Sequence, residues 1–159
     1  DGRLDFAVVR YDALPDSAAS LPLTELKFVL CVPDRLCGNS VRLPGDLAGL
    51  PLALPAAGGS FHGVLSTYFE SVGIPWQPAV ESTSFLQALA LVESGGFAAV
   101  LPSIGAKRLP GDAFVIKPIA GLKFATRKLV LHWNKRQMET RDVSAASIRK
   151  LRDAIRLSL

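Results

Sequence analysis

The chain has 159 residues, of which 49% are hydrophobic and 20% charged, and its formal net charge is +4. This composition is typical of a globular protein with a sizeable core, organised as one domain or two small lobes, and it excludes a disordered chain. No apolar run reaches the roughly 18 residues that a transmembrane helix needs. The first residues also lack the basic start and the apolar stretch of a signal peptide.

The two cysteines, Cys31 and Cys37, allow either a disulfide or a pair of reduced thiols. Cys31 lies in an apolar run, where a cysteine behaves as a small hydrophobic residue. We therefore expect buried, reduced thiols in a reducing compartment. The sequence contains no CxxC motif and no Cys/His cluster, so we expect no zinc or other metal site.

The C-terminal part of the chain is basic. From Arg127 onwards it carries nine Lys or Arg residues and three Asp or Glu residues. This excess indicates either a nucleic-acid patch or the solvated face of a helix. The pattern favours the solvated face, because four basic residues fall opposite an apolar stripe. The basic residues are Arg149, Lys150, Arg152 and Arg156, and the stripe is Ile148, Leu151, Ile155 and Leu159.

The first third of the chain predicts apolar strands separated by loops. Residues 4–9 form an apolar run with β-branched residues, which predicts a buried strand of a parallel sheet. Residues 13–22 are rich in Ala, Ser and Pro and predict a loop. Residues 26–32 predict a second strand. Residues 34–42 are expected to form a loop, and residues 44–48 one helical turn.

The stretch from residue 52 to residue 81 reads as strand, glycine turn, helix and strand. The predicted helix spans about residues 60–72, and Gly73 ends it. The turn at Gly58-Gly59 leads into the helix N-terminus, where free backbone N–H groups and the helix dipole suit a carboxylate, sulfate or phosphate. The alternative is an ordinary strand-to-helix turn with Ser60 as the N-cap.

Strands and helices continue to alternate down the chain. The predicted elements are a helix at 84–94, a strand at 97–101, a short helix at 104–108, strands at 113–119 and 127–133, and a helix at 144–159 with Ser144 as its N-cap. This alternation predicts an α/β fold with a parallel or mixed sheet and helices on both faces. Ligands of such folds bind at the carboxyl ends of the strands. The turns Gly58–His62, Ser82–Phe85 and Pro102–Ile104 should converge there.

Catalysis is the least supported function. Ser60 and His62 do not form the G-x-S-x-G elbow of a serine hydrolase, and His62 points away from the face of Ser60. His132 lies within a strand, where packing is its expected role. No phosphate-binding or dinucleotide-binding glycine motif occurs. We expect neither an enzyme nor a cofactor.

Four segments, in order and with matching spacing, resemble the effector-binding domain of LysR-type transcriptional regulators. They are GRLDFAVV (2–9), LTELKFVLCVP (23–33), LPGDLAG (43–49) and LALVESGGFAAVLP (89–102). The resemblance extends from residue 2 to about residue 135. It implies a two-lobed fold like that of type 2 periplasmic binding proteins, with a small effector in the cleft between the lobes.

The resemblance also implies a division of the chain. Residues 1–28 correspond to the end of the first lobe, residues 29–127 to a complete second lobe, and residues 128–159 to the return strand and C-terminal helix of the first lobe. On this comparison the chain is truncated at its N-terminus. It lacks the winged helix-turn-helix and the opening of the first lobe.

The family positions carried over to this sequence predict a ligand site at the strand-to-helix turns. Phe85 is expected to pack on the effector; its alternative is the core face of its helix, together with Leu86, Leu89 and Val92. For His62 the alternative is a solvated histidine, and Trp76 either contacts ligand or packs in its turn or at a subunit contact. Peroxide-sensing members have a reactive cysteine in the segment equivalent to residues 59–61. Here that segment contains Ser60 and no cysteine, which argues against thiol sensing by that route. The predicted site consists of Arg10, Ser60, Phe61, His62, Ser82, Thr83, Phe85, Pro102 and Ser103.

The implied function is ligand sensing in a bacterial transcriptional regulator. A small anionic effector would modulate DNA binding by the separate N-terminal domain. The resemblance implies a cytoplasmic homodimer or tetramer that contacts DNA only through that domain and has no membrane partner. The alternative is the solute-binding protein of a transport system.

Overall fold

The computed structural model describes residues 5–38 and 40–159, without the side chains of residues 123–125. In chain order the strands are β1 Phe6–Arg10, β2 Ser20–Leu26, β3 Phe28–Pro33, β4 Leu52–Pro55, β5 Val80–Ser82, β6 Ala98–Pro102, β7 Phe114–Pro118 and β8 Arg127–Trp133. The helices are α1 Asp34–Cys37, α2 Ser60–Ser71, α3 Phe85–Glu93, α4 Ser103–Ala106, α5 Lys135–Thr140 and α6 Ala145–Ser158. Short 3-10 helices cover Tyr11–Ala13, Gly45–Gly49 and Ala120–Ala125. Within the described ranges, no helix has the length and hydropathy needed to span a bilayer.

The chain divides into two compact units, one from Asp1–Leu26 with Arg127–Leu159 and the other from Lys27–Thr126. The first unit contains an antiparallel sheet in the order β1-β8-β2. Its core joins Leu23 and Leu131 of the sheet to Met138 of α5 and Ile148 of α6. The N-cap of α6 is Ser144, as the sequence predicts, and its side chain accepts a hydrogen bond from the N–H of Ser147.

The second unit contains a mixed five-stranded sheet in the order β5-β4-β6-β3-β7. Strand β4 is parallel to both β5 and β6, whereas β3 runs antiparallel to β6 and β7. Its hydrophobic core includes Cys31 of β3, Val92 of α3 and Leu101 of β6. Burial raises the pKa of the Cys31 thiol to about 12. Cys37 is half-buried, and its Sγ donates to the carbonyl oxygen of Pro33 at 3.7 Å.

The prediction of a mixed α/β sheet is confirmed, but four predictions in the first third of the chain are wrong, one of them the loop at 34–42, which begins with α1. Residues 6–10 form a strand that is antiparallel to β8 and only partly buried, with Val8 48% exposed. Leu4 lies outside the described residues. The predicted loop at 13–22 overlaps β2, which begins at Ser20. Pro22 is tolerated there because β2 is an edge strand, where the missing N–H of a proline need not break the sheet. The expected strand at 26–32 is divided at Lys27 between β2 and β3, which belong to different units.

The predicted boundaries of the later elements are closer. The predicted strand at 127–133 is β8, and α2 follows the predicted helix to within one residue at its end. The sequence did not predict α1 or α5, because each is a short helix without a long apolar period. The predicted apolar stripe of α6 is only partly buried: Ile148 is 6% exposed, but Leu151 is 36% exposed. Arg152 is half-buried beside Asp153, and the other three basic residues of that helix face are exposed.

Candidate functional site

A pocket of about 350 Å³ lies in the second unit where β4 leads into α2 and β5 leads into α3. The two turns meet there because β4 and β5 are parallel neighbours whose carboxyl ends share one edge of the sheet. Six of the nine predicted site residues line the pocket: Ser60, Phe61, His62, Ser82, Thr83 and Phe85. The rest of the lining is Gly59, Ser84 and apolar side chains of β4, β6, α3 and the turn after β4.

The N-terminus of α2 opens onto this pocket without a side-chain cap. Its N-cap is Gly59, in the extended conformation, so the alternative with Ser60 as the N-cap is wrong. Gly58 adopts a φ of 92°, which glycine reaches without strain. The first-turn N–H groups of Ser60, Phe61 and His62 have no acceptor within the helix. The pocket therefore presents backbone donors and the positive end of a 12-residue helix dipole.

The N-terminus of α3, on the other side of the pocket, is capped by its own side chains. The Ser84 hydroxyl accepts a hydrogen bond from the N–H of Gln87 at 3.2 Å. The Gln87 side-chain oxygen accepts hydrogen bonds from the N–H and hydroxyl of Thr83, at 2.9 and 2.8 Å. This reciprocal arrangement resembles a capping box. The two helix ends at the pocket therefore differ in what they offer a ligand.

The hydroxyl groups of the lining differ in the same way. Ser82 is only 6% exposed, and its hydroxyl donates to the carbonyl oxygen of Leu54 at 3.4 Å. Thr83 and Ser84 are held by Gln87. Ser60 is exposed and provides no cap hydrogen bond. It is thus the lining hydroxyl best placed to turn towards a ligand.

Phenylalanine rings form one wall of the pocket. The Phe61 and Phe85 ring centroids lie 5.1 Å apart with an interplanar angle of 64°. Phe28 of β3 stacks on Phe61 at 4.3 Å. Phe85 is 39% exposed, which contradicts the alternative that placed it on the core face of α3. That face consists of Ala88, Leu89 and Val92, and Leu86, which the sequence placed on it, is 72% exposed.

His62 is half-buried against the other aromatic residue of this region. Its ring centroid lies 4.7 Å from that of Trp76, and Trp76 also contacts Phe69 of α2 at 5.4 Å. Trp76 therefore packs in its turn, as one of its predicted alternatives holds. His62 is fixed beside a ring and is not fully solvated.

The remaining predicted site residues do not line this pocket. Pro102 ends β6 and pairs with Phe28, and Ser103 begins α4, where its N–H donates to the carbonyl oxygen of Lys27 at 2.8 Å. The third predicted turn therefore serves another part of the sheet edge. Arg10 belongs to the first unit, where it forms an exposed ion pair with Asp12 at 3.3 Å.

Sequence reasoning missed Phe28, because it is the first residue of an apolar strand and nothing in the local pattern separates it from its neighbours. It missed Ser84 as a lining residue for a similar reason, since its role there is to cap α3. The Gly-Gly turn was a usable signal for Gly59. That Phe28 and Ser84 meet the other lining residues is visible only in the tertiary structure, because these residues come from segments far apart in the chain.

The chemistry available to the pocket is that of binding. Within the described ranges, no Asp, Glu, Lys or Arg lines it, and no group of His, Cys, Asp or Glu residues is arranged to hold a metal ion. His132, in the other unit, is half-buried with its Nδ1 3.0 Å from the carbonyl oxygen of Ala19, as expected for a packed residue. The site offers backbone N–H groups, one available hydroxyl and an aromatic wall.

The comparisons with known proteins agree with this architecture. A family model described as the LysR substrate binding domain matches residues 1–155. No curated protein sequence matches the chain.

Several solved structures share the fold. The PA01 protein from Pseudomonas aeruginosa has a TM-score of 0.64 and 21% identity, over 98% of this chain and 54% of its own. The reduced regulatory domain of OxyR2 from Vibrio vulnificus has a TM-score of 0.63 and 15% identity, over 99% and 73%. Full-length CbnR in complex with its target DNA has a TM-score of 0.58 and 20% identity, over 84% and 46%. The chain thus spans about half the length of CbnR and of the PA01 protein.

Proposed function

Since this chain belongs to the family of LysR substrate-binding domains, we propose that it is the ligand-sensing part of a bacterial LysR-type transcriptional regulator. Its fold is that of the type 2 periplasmic-binding-protein class. The unit Lys27–Thr126 corresponds in this proposal to the second lobe of the effector domain, and the other unit to part of the first. The ligand is a small anionic effector held at the strand-to-helix turns of the second lobe.

The observation that carries the proposal is the uncapped N-terminus of α2 at the pocket. The three first-turn N–H groups and the helix dipole favour a negative charge there, and the pocket volume suits a small metabolite. The effector acts by shifting the populations of the regulator's conformations, and no covalent reaction is involved. An effector with unequal affinity for two conformations of the regulator shifts their equilibrium, and the DNA contacts change with it.

The other parts of the proposal concern the regulator as a whole. DNA is bound by a separate N-terminal winged helix-turn-helix, the protein is a cytoplasmic homodimer or tetramer, and this domain is not an enzyme. The parent reading frame tests this assignment directly. A helix-turn-helix segment upstream supports the regulator, whereas a signal peptide upstream supports the solute-binding protein of a transporter.

The position of the anion is tested by Gly59→Asp. A Cβ atom at Gly59 would meet no atom within 4 Å, and the backbone there is extended, so the position suits Asp, which can cap α2. We expect the melting temperature to stay the same or rise, while the affinity for carboxylates falls at least about tenfold because the new carboxylate repels the ligand. Calorimetric titration of the original chain and of the variant with a panel of aromatic and aliphatic monocarboxylates measures these affinities.

The matched control is Thr67→Asp, which adds the same charge to an exposed position of α2 outside the pocket lining. It should leave carboxylate affinity within about twofold of the original chain. The proposal fails if no carboxylate binds the original chain. It also fails if Gly59→Asp and Thr67→Asp weaken binding equally, since the anion would then not lie at the α2 N-terminus.

A further inference from the structure

The aromatic wall of the pocket is a fixed surface. Phe61 is the second residue of α2 and Phe85 is the first residue of α3, so each ring is carried by a helix. Phe28, which is 8% exposed, stacks behind Phe61 with an interplanar angle of 24° and lies 5.9 Å from Phe85. Three rings from three elements thus hold one another in place. Phe85 and Phe61 both line the pocket and are partly exposed.

The charge of the lining limits the ligand to one charged end. Among the described lining residues the only titratable side chain is His62, and its ring packs against Trp76. The α2 N-terminus serves one negative charge. A second charge would lie against alanine, valine and phenylalanine side chains, where burial without a partner is costly.

The volume of the pocket limits the size of the ligand. About 350 Å³ is near the lower end of the range of small-molecule sites, which is roughly 300–1,000 Å³. A compound with one or two rings fits this space. The pocket therefore suits a ligand with a compact, planar, apolar body and a single polar group at one end.

We infer that the effector is a monocarboxylate carrying a six-membered aromatic ring, with its ring against Phe61 and Phe85 and its carboxylate at the first turn of α2. This inference rests on the proposed function for the position of the carboxylate. The ring contact is independent of it. An added edge-to-face contact strengthens binding by roughly two- to tenfold beyond burial of the same area.

The test compares benzoate with cyclohexanecarboxylate, which has a saturated ring and the same head, by calorimetric titration of the 159-residue chain. Benzoate should bind more tightly. In Phe85→Leu the benzoate affinity should fall roughly three- to tenfold, and the cyclohexanecarboxylate affinity by less than about twofold, because only the aromatic ring loses a ring partner. Phe61→Leu should show the same pattern. Benzene-1,4-dicarboxylate should bind at least about tenfold more weakly than benzoate.

The control is Leu86→Ala, which removes an exposed apolar side chain next to Phe85 but outside the lining. It should change neither affinity, and circular dichroism of each variant establishes that it is folded. Equal losses for both acids in Phe85→Leu and Phe61→Leu overturn the inference, as does tighter binding of the saturated acid to the original chain. If aliphatic acids bind without aromatic preference and Gly59→Asp abolishes that binding, only this inference falls. If no carboxylate binds at all, the proposed function falls with it.

Discussion

At the scale of single residues, burial changes the chemistry of Cys31 more than its neighbours in sequence suggest. The side chain has no solvent exposure and packs among apolar residues of the second unit. Burial raises its pKa to about 12, so the thiolate needed for redox or metal chemistry does not form near neutral pH. The structure therefore supports the expectation that Cys31 is a packed, reduced thiol.

The raised pKa of Cys31 predicts a loss of stability at alkaline pH. The unfolded thiol titrates near 9.0 and the folded one near 12, so its contribution is complete below pH 9 and is lost as the pH rises towards 12. The difference in unfolding free energy between the original chain and Cys31→Ala should therefore shrink by roughly 1 kcal/mol per pH unit above pH 9. Urea unfolding under reducing conditions measures it. The pKa of Tyr68 is also raised by burial, but Tyr68 is present in both proteins and cancels. If the difference in unfolding free energy between the two proteins stays constant above pH 9, the pKa of Cys31 is not raised in the folded chain.

At the scale of the element, the N-termini of α2 and α3 differ in capping although both lie near a serine. Both helices follow a short parallel strand and both begin near serine. The serine before α3 accepts a backbone hydrogen bond, whereas Ser60 lies within the first turn of α2 and leaves that end open. The closed end stabilises the local fold, and the open end is available to a ligand.

This difference predicts unequal effects of the same substitution. Ser84→Ala should lower the free energy of unfolding by about 1 kcal/mol, because the N–H of Gln87 loses its acceptor. Ser60→Ala should change it by only a few tenths of a kcal/mol, since no cap hydrogen bond is lost. Chemical denaturation of the two variants measures both effects. Equal destabilisation would mean that Ser60 also caps its helix in solution.

At the scale of the whole molecule, each of the two units has a hydrophobic core among the residues that the structure describes. Leu131 belongs to the core of the first unit and Leu101 to that of the second, and each is 1% exposed. The first unit is discontinuous in sequence, since β8 pairs with strands from the beginning of the chain. Its formation depends on contacts that close a long loop.

The two cores predict that matched truncations act locally. Leu131→Ala and Leu101→Ala should each cost about 2–5 kcal/mol in their own unit, because both leave a cavity at a fully buried site. Hydrogen exchange followed by mass spectrometry should show faster exchange in β1, β2 and β8 for Leu131→Ala. For Leu101→Ala the faster exchange should lie in β3, β4 and β6. Identical exchange patterns for both variants would contradict two separate cores.

The sequence by itself determined the family, the extent of α2 and β8, the capping serine of α6, and the glycine turn that begins the site. These features depend on residues that are close together in sequence, namely the apolar period, the cap residue and the position of glycine. Only the tertiary structure decided the antiparallel pairing of β1 with β8, the break between β2 and β3 at Lys27, and the meeting of Phe28, Phe61 and Phe85. Those outcomes depend on which distant segments lie side by side, and the burial that selects between them is shared by residues far apart in the chain.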